Sequence, residues 1–435
     1  MENHQQMRKK LLLGVFLIAT GNVAAAAADS IFSLPSNMSF SFFGTAGYSI
    51  SDKPYAYYYG TISERGSFYA DSNVGAQLDW QISPRLSFTL QGEVAPVRDR
   101  DHHWRSHLTW AHLTFRLTNN WALKIGRSRV PALLYTQNSN VGMSYFASRL
   151  PFEVYDLSPT FEYDGIATSY TWDVGDDGMH TVSWNAYAGI SHFDQRMWFR
   201  DSLGNINAGA NSFSRKLNAA GTFLSYEDAV ENNLLRAGLH YVELKDRQGD
   251  VFLKRHNVLV LPNGAEVYPP TGTENTDKVK YTVLALMADW HVGGGLYLAS
   301  EIGIRRALNV NTGLDSRAFY LHARRRFGDF TPYVAWSYSQ SNSESRRTFK
   351  NLSKPTGFAQ FDLINRVSGD ALLMTDQQTL AIGTAYDIGT NQRLKMQYAR
   401  TRIGRGDYLV DRRLSDGDLD GEHINIFTAS YNFLF

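Results

Sequence analysis

The sequence contains no cysteine in 435 residues. That excludes a disulfide framework, a thiolate metal site and a cysteine nucleophile. An excess of one charge is missing too, with 43 Lys and Arg against 42 Asp and Glu. A near-neutral chain is a poor partner for nucleic acid. A membrane-spanning helix is also lacking: the apolar run from Leu11 is interrupted by Gly14, Thr20, Gly21 and Asn22 and falls short of the roughly 20 residues that cross a bilayer. What precedes and follows that run is informative. Met7-Arg8-Lys9-Lys10, then LLLGVFLIAT, then VAAAAAD give the charged, apolar and small-residue order of a secretory signal peptide. Cleavage is expected after about residue 26–28, leaving a mature chain from about residue 29 with a net charge near −1.

Mean hydropathy is −0.32, a soluble value. Hydropathy averages fail, however, where apolar and polar residues alternate strictly, because each half cancels the other. Such alternation fills the chain. Val74, Ala76, Leu78, Trp80 and Ile82 alternate with Gly75, Gln77, Asp79 and Gln81, turn at Ser83-Pro84-Arg85, and return through Leu86, Phe88 and Leu90. Ala111, Leu113, Phe115 and Leu117 do the same, turning at Thr118-Asn119-Asn120 into Trp121, Leu123 and Ile125. Further short turns fall near 173–179, 228–232, 291–295, 328–330 and 389–391.

Seven turns join fourteen strands, and an opening strand near 38–49 with a closing strand near 423–435 makes sixteen. The closing stretch ASYNFLF puts Phe427, Ala429, Tyr431, Phe433 and Phe435 on one face and Thr428, Ser430 and Asn432 on the other. Long segments at 51–73, 96–105, 130–163, 191–219, 245–278, 306–316, 341–378 and 402–422 separate the hairpins. Short turns at one rim, long loops at the other and an even strand count predict an all-β fold, a single transmembrane antiparallel barrel over residues 29–435. Trp80, Trp121, Trp290, Phe327 and Tyr386 lie beside the short turns, where an interfacial aromatic girdle belongs.

The aromatic-terminated last strand resembles the signal by which outer-membrane proteins are read by the barrel-assembly machinery, with Phe435 as the recognition residue. The sixteen-strand layout is similar to the trimeric porins of Gram-negative bacteria, over the whole mature chain. The run Lys124-Ile125-Gly126-Arg127-Ser128-Arg129-Val130-Pro131 is similar to the strand leading into a porin's third, constricting loop, which places that loop at about 131–163. The Pro-Glu-Phe-Gly-Gly-Asp tip of the enterobacterial general porins is absent from it. The resemblance implies an outer-membrane channel for ions and small hydrophilic solutes, without a cofactor, set in outer-membrane lipid and lipopolysaccharide as a homotrimer. Carried over, the constriction falls on the stretch holding Arg149, Glu153, Asp156, Glu162 and Asp164.

A narrow neck gains selectivity from acidic loop groups facing basic wall groups. Glu153 and Asp156 are expected at that neck. Parity puts Arg116, Lys124, Arg305, Arg324, Arg326, Arg393 and Lys395 on the polar face. Arg127 falls on the lipid face by strict alternation from Leu123, unless it sits at a rim or a bulge shifts the register. Asp416, Asp418 and Asp420 match the start of a calcium loop, but position twelve is Phe427 and not Glu, so a solvated acidic loop is the expected reading. The run Asp99-Arg100-Asp101-His102-His103 reads as a rim loop, and Tyr57-Tyr58-Tyr59 as either sugar-stacking or interface aromatics. Two other classes stay open: a barrel hydrolase, although no G-x-S-x-G, H-E-x-x-H or P-loop pattern occurs, and an adhesin or structural barrel plugged by its loops.

Overall fold

The computed structural model describes residues 35–97, 103–175, 178–249, 252–253, 258–269, 274–310 and 313–435. The expected signal peptide and Asp99 to His102 lie outside the described residues. The first eight long strands are β1 (Met38–Ser51), β2 (Asn73–Ser83), β3 (Leu86–Pro96), β4 (Trp104–Arg116), β5 (Trp121–Arg129), β6 (Glu162–Asp173), β7 (His180–Phe199) and β8 (Gly209–Asp228). The next eight are β9 (Asn233–Asp246), β10 (Lys278–Gly293), β11 (Leu296–Ala307), β12 (Ser316–Arg325), β13 (Phe330–Ser341), β14 (Asp376–Ile388), β15 (Gln392–Ile403) and β16 (His423–Leu434). Each pairs antiparallel with its neighbours in sequence, and β16 returns to β1, so the sixteen strands close one barrel. Closure leaves no sheet edge with unpaired backbone groups, the condition for crossing a bilayer with strands.

The apolar set on each strand points outward. Leu113, Phe115, Ile166, Leu224, Leu239, Leu284, Ile302, Leu321, Leu380 and Phe427 are all exposed, and Ile125 retains 55% of its surface. A continuous apolar belt of this extent is a lipid-facing surface. Trp121, Trp290, Phe327 and Tyr386 are exposed beside the short turns, as a girdle requires, while Trp80 is half-buried. At the seam, Phe42 and Phe435 exchange both backbone hydrogen bonds, 2.7 and 2.8 Å. The Phe433 ring stacks on Phe42 and on Phe435, at 5.7 and 5.8 Å between centroids. The apolar face of the last strand therefore touches the first strand's aromatics and the surrounding lipid level.

All seven expected short turns join hairpins. The long segments differ in two places. Residues 191–219 are mostly strand, because β7 and β8 each run 20 residues and leave only 200–208 between them. Above the belt both faces of these strands meet water or loops, so His192, Lys216 and Asn218 replace the apolar set and the alternation vanishes from the sequence. After the one-turn helix α1 (Phe152–Tyr155), two further helices, α2 (Ser343–Leu352) and α3 (Ala359–Ala371), fill the segment between β13 and β14 instead of plain loop. Asn342 caps α2 by accepting the Ser345 N–H, and Glu344 sits in its first turn, where the helix dipole favours a carboxylate.

Candidate permeation site

The connection from β5 to β6, residues 130–161, is called loop 3 below. Its ends meet where the Val130 N–H donates to the Phe161 carbonyl at 2.7 Å. Much of its apolar surface packs on the barrel wall. Leu133, Val154, Tyr155, Leu157 and Phe161 bury themselves against Ala285 and Met287 of β10, Ala299 of β11, and Ala318 and Tyr320 of β12. The small inward side chains of these strands leave room for the loop, and the exchange removes a large apolar area from water. The one-turn helix α1 follows Pro151 and aims Val154 at the wall.

Polar wall groups fasten what the apolar ones seat. Buried Glu301 accepts the Leu134 N–H at 2.9 Å and the Tyr155 hydroxyl at 2.7 Å. Arg305 donates to the carbonyls of Leu157 and Leu314 at 3.1 and 2.6 Å. Lys395 donates to the carbonyls of Gly142 and Ala147 at 2.5 and 3.1 Å, its Nζ 4.0 Å from the Tyr145 ring centroid. Arg393 pairs with Asp387 at 2.5 Å, donates to the carbonyls of Met143 and Tyr145, and lies over the Phe146 ring. Arg324 pairs with Asp289 at 2.9 Å and lies over the same ring. Four expected basic wall residues, Arg305, Arg324, Arg393 and Lys395, thus hold the loop through its carbonyls and aromatic faces, and Arg305 also feels the loop carboxylate Asp156.

Of the acidic groups, Glu153 meets neutral partners, whereas Asp156 acts on Arg305 and Glu162 borders the cavity beside Arg129. Glu153 is 4% exposed and accepts hydrogen bonds from Ser337 and Thr379, both neutral. Burial pushes its carboxyl above the usual range. It anchors the loop to β13 and β14 and faces no arginine. Asp156 accepts the Tyr59 hydroxyl and so ties loop 3 to the β1–β2 connection, residues 52–72, called loop 1. Glu162 begins β6, 3.4 Å from Arg129. Arg127 and Asp164 form a bidentate pair at 2.8 and 2.6 Å on the outward-facing parity, each opposite the other across β5 and β6. Gly126 precedes the pair with φ +128°, and a Cβ there would lie 2.3 Å from the Ala111 carbonyl, so only glycine fits.

Arg116 and Arg326 are exposed at the short-turn rim, away from any neck. Lys124 points inward, 5.8 Å from the Trp110 ring centroid. Asp416 accepts the Arg413 N–H and Asp418 the Leu419 N–H. No three His, Cys, Asp or Glu side chains converge as metal ligands among the described residues. Tyr57 is buried with its hydroxyl on Gln377, and Tyr58 stacks on Phe152 at 3.5 Å between centroids. These tyrosines clasp loop 1 to loop 3, so Tyr57 offers no face to a sugar. Tyr58 and Tyr59 both hold φ of 53°, a left-handed conformation unusual for aromatic residues.

One sector of the inner wall is used differently. A cavity of about 450 Å³ lies between loop 3 and strands β1 to β6, lined among others by Asp71, Glu93, Arg105, His107, Arg129 and Arg149. Its floor is the loop tip. The Asn140 amide donates to Gln91 Oε1 at 2.9 Å, its Oδ1 accepts from Arg129 at 2.8 Å, and its carbonyl accepts from Asn73 at 2.6 Å. Glu93 in turn pairs with His107 at 2.9 Å and accepts from Asn73 at 3.2 Å. None of Asn73, Gln91, Glu93, His107 or Asn140 figured among the expected site residues. Parity marks Asn73, Gln91 and Glu93 as inward, but His107 turns inward only through the bulge at Thr109, and only the fold brings residue 140 against residues 73 and 91.

Comparison with known proteins bears on the fold. No family model matches the sequence, and no curated protein matches it. The outer membrane channel DcaP of Acinetobacter baumannii superposes with a TM-score of 0.51 at 11% identity, covering 92% of this chain and 99% of that one. OprB of Pseudomonas putida superposes with a TM-score of 0.51 at 10% identity, covering 95% of this chain and 97% of that one. The chain has the barrel fold of outer-membrane porins.

Proposed function

We propose that the protein is an outer-membrane porin, a passive diffusion channel for ions and small hydrophilic solutes, narrowed by an inward-folded loop 3. The observation that carries this reading is the division of the inner wall. Loop 3 is seated on β10 to β15, and the charged cavity lies against β1 to β6. Acidic and basic groups on opposite sides of a narrow, partly dehydrated path act on ions and dipolar solutes. The expected surroundings are outer-membrane lipid and lipopolysaccharide, reached through the barrel-assembly machinery reading Phe435. A homotrimer fits the Arg127–Asp164 pair. Arg127 lies two residues from the loop 3 end of β5 on the outward parity, at the rim of the cavity, where a charge facing lipid costs about 0–1 kcal/mol. A second copy covering that surface removes the cost.

The plugged barrel is the second reading, favoured by the burial of inward groups at mid-depth: Gln91 and His112 are each 4% exposed and Asn432 is 1% exposed. Planar-bilayer recording of the purified protein separates the two. Discrete ion-conducting steps support the channel, and a silent, correctly inserted barrel supports the plug.

A further inference from the structure

We propose that Asn140 is a latch: it holds the tip of loop 3 across the lumen, and solute passes when the tip lets go. The inference rests on the channel reading and adds the residues that set its conductance. Its first support is where the outer cavity ends. The cavity is lined by Ser139, Asn140 and Tyr145 of loop 3 on one side and by Thr45, Asn73 and Glu93 on the other. Beneath the tip the inward groups Gln91, Thr109, His112 and Ser128 are all buried. Trp110, opposite Gln91, and Lys124, further toward the short turns, are partly exposed. The outer cavity therefore ends on the loop tip, at the level where Asn140 bonds Gln91.

The second support is how differently the tip and its flanks are held. Thr136, Gly142 and Ser148 are buried, and so are Leu133 and residues 152–155. None of residues 137–141 is buried. The flanks carry the apolar seat and the wall fasteners, whereas side-chain hydrogen bonds on Asn140 and Ser139 join the tip to β2, β3 and β5. Such bonds exchange readily with water at little net cost. The tip can thus leave while the flanks stay seated.

Departure of the tip also changes what the neck presents. Arg129 donates to Asn140 and Ser139, and its Nε, buried and 3.4 Å from Glu162, has no hydrogen-bond partner. Release frees two guanidinium arms toward the path, so the open state should favour anions.

The absence of cysteine makes the test clean. Single-channel recordings of the full chain in planar bilayers would compare wild type, N140A, N140A/R129Q, Q91C/N140C and a variant lacking residues 137–141, each checked for a heat-modifiable folded barrel. Loss of these bonds predicts a roughly three- to tenfold higher open probability for N140A. N140A/R129Q should lose the anion preference of N140A. Joining the Q91C and N140C thiols with a short bifunctional reagent should silence the channel. A wild type and N140A of equal open probability, or a cross-linked pair that still conducts, overturns the latch and leaves the channel reading standing. A wild type and N140A that are both silent while the tip deletion conducts make the loop a fixed plug, which also overturns it. Silence in every variant ends both readings.

Discussion

The inner wall of β10 to β15 and that of β1 to β5 obey the same alternation and end in opposite uses. On the first, much of the inward surface meets loop 3: alanines seat Val154 and Leu157, and Arg305, Arg393 and Lys395 are consumed by carbonyls. On the second, Glu93, Arg105 and His107 line water. The difference lies in side-chain size. Ala285, Ala299 and Ala318 leave a recess that an apolar loop can fill, whereas Gln91, Trp110 and His112 on the opposite wall leave none. Charge on an inward residue therefore does not make it a selectivity residue. What matters is whether the loop has taken it.

Breaking the seated half should have the largest effect. Val154 is fully buried, and an aspartate in its place would be an unpaired charge in an apolar pocket, a loss of several kcal/mol. Val154→Asp should unseat the loop and raise unitary conductance severalfold, with the barrel's heat-modifiability intact because Val154 takes no part in the strand ladder. Unchanged conductance would mean the seat does not narrow the path. The next effect compares the two faces of one strand. Leu113 is exposed on the outer face of β4 and Thr114 faces inward. An arginine facing lipid costs about 2–4 kcal/mol near mid-depth, so Leu113→Arg should lower assembled outer-membrane yield well below that of Thr114→Arg. Equal yields would reverse the assignment of faces.

Most of the barrel was legible because the bilayer writes a period of two on every strand. Leu113, Phe115, Ile125 and Phe427 needed no structure to be placed outward. The writing stops where lipid stops. The upper halves of β7 and β8 meet water on one face and loops on the other and so read as loop, and α2 and α3 lie in a segment that reads as a connection. The site was legible only by half. Loop 3 was placed by its ordinal position and its surplus of apolar residues, but the roles of Glu153 and Arg305 depend on partners about 150 or more residues away, such as Ser337 and Leu157. Parity states a direction. It carries nothing about depth or about which loop arrives there.

A smaller effect should appear at the connection from β15 to β16, residues 404–422, whose Leu409, Val410 and Leu419 pack on loop 1 above the seated half. Asp407 is buried there, accepting from the Thr375 hydroxyl and the N–H groups of Asp376 and Leu409. Burial pushes its carboxyl up to about 7 despite those donors. A carboxyl raised above its unfolded value of about 4 binds its proton more tightly when folded, so its environment is most stable at low pH. That stability falls as pH rises from about 4 through 7 and changes no further above it. Tryptic cleavage at Arg405, Arg412 or Arg413 should therefore speed up modestly between pH 5 and pH 8, and Asp407→Asn should flatten the dependence. A wild-type rate that is level with pH would remove Asp407 as the cause.

The smallest expected effect is the most diagnostic, because it is zero on one wall and finite on the other. Glu153 and Glu93 are both carboxylates of the lumen, and sequence alone would favour Glu153, which lies on the loop. Glu153 sits under the loop with Ser337 and Thr379 and is biased by burial toward its neutral form. Glu93 lines the cavity beside His107 and Asn73. A charge that borders water acts on passing ions, and a neutral buried acid does not. Glu93→Gln should shift the reversal potential in a salt gradient toward anions, on the order of a twofold change in permeability ratio. Glu153→Gln should leave that potential where it was, since it keeps the shape and both hydroxyl partners while removing a charge that the path never meets. If Glu153→Gln shifts the potential and Glu93→Gln does not, the path runs under the loop along β13 and β14, and the two halves of the wall have exchanged roles.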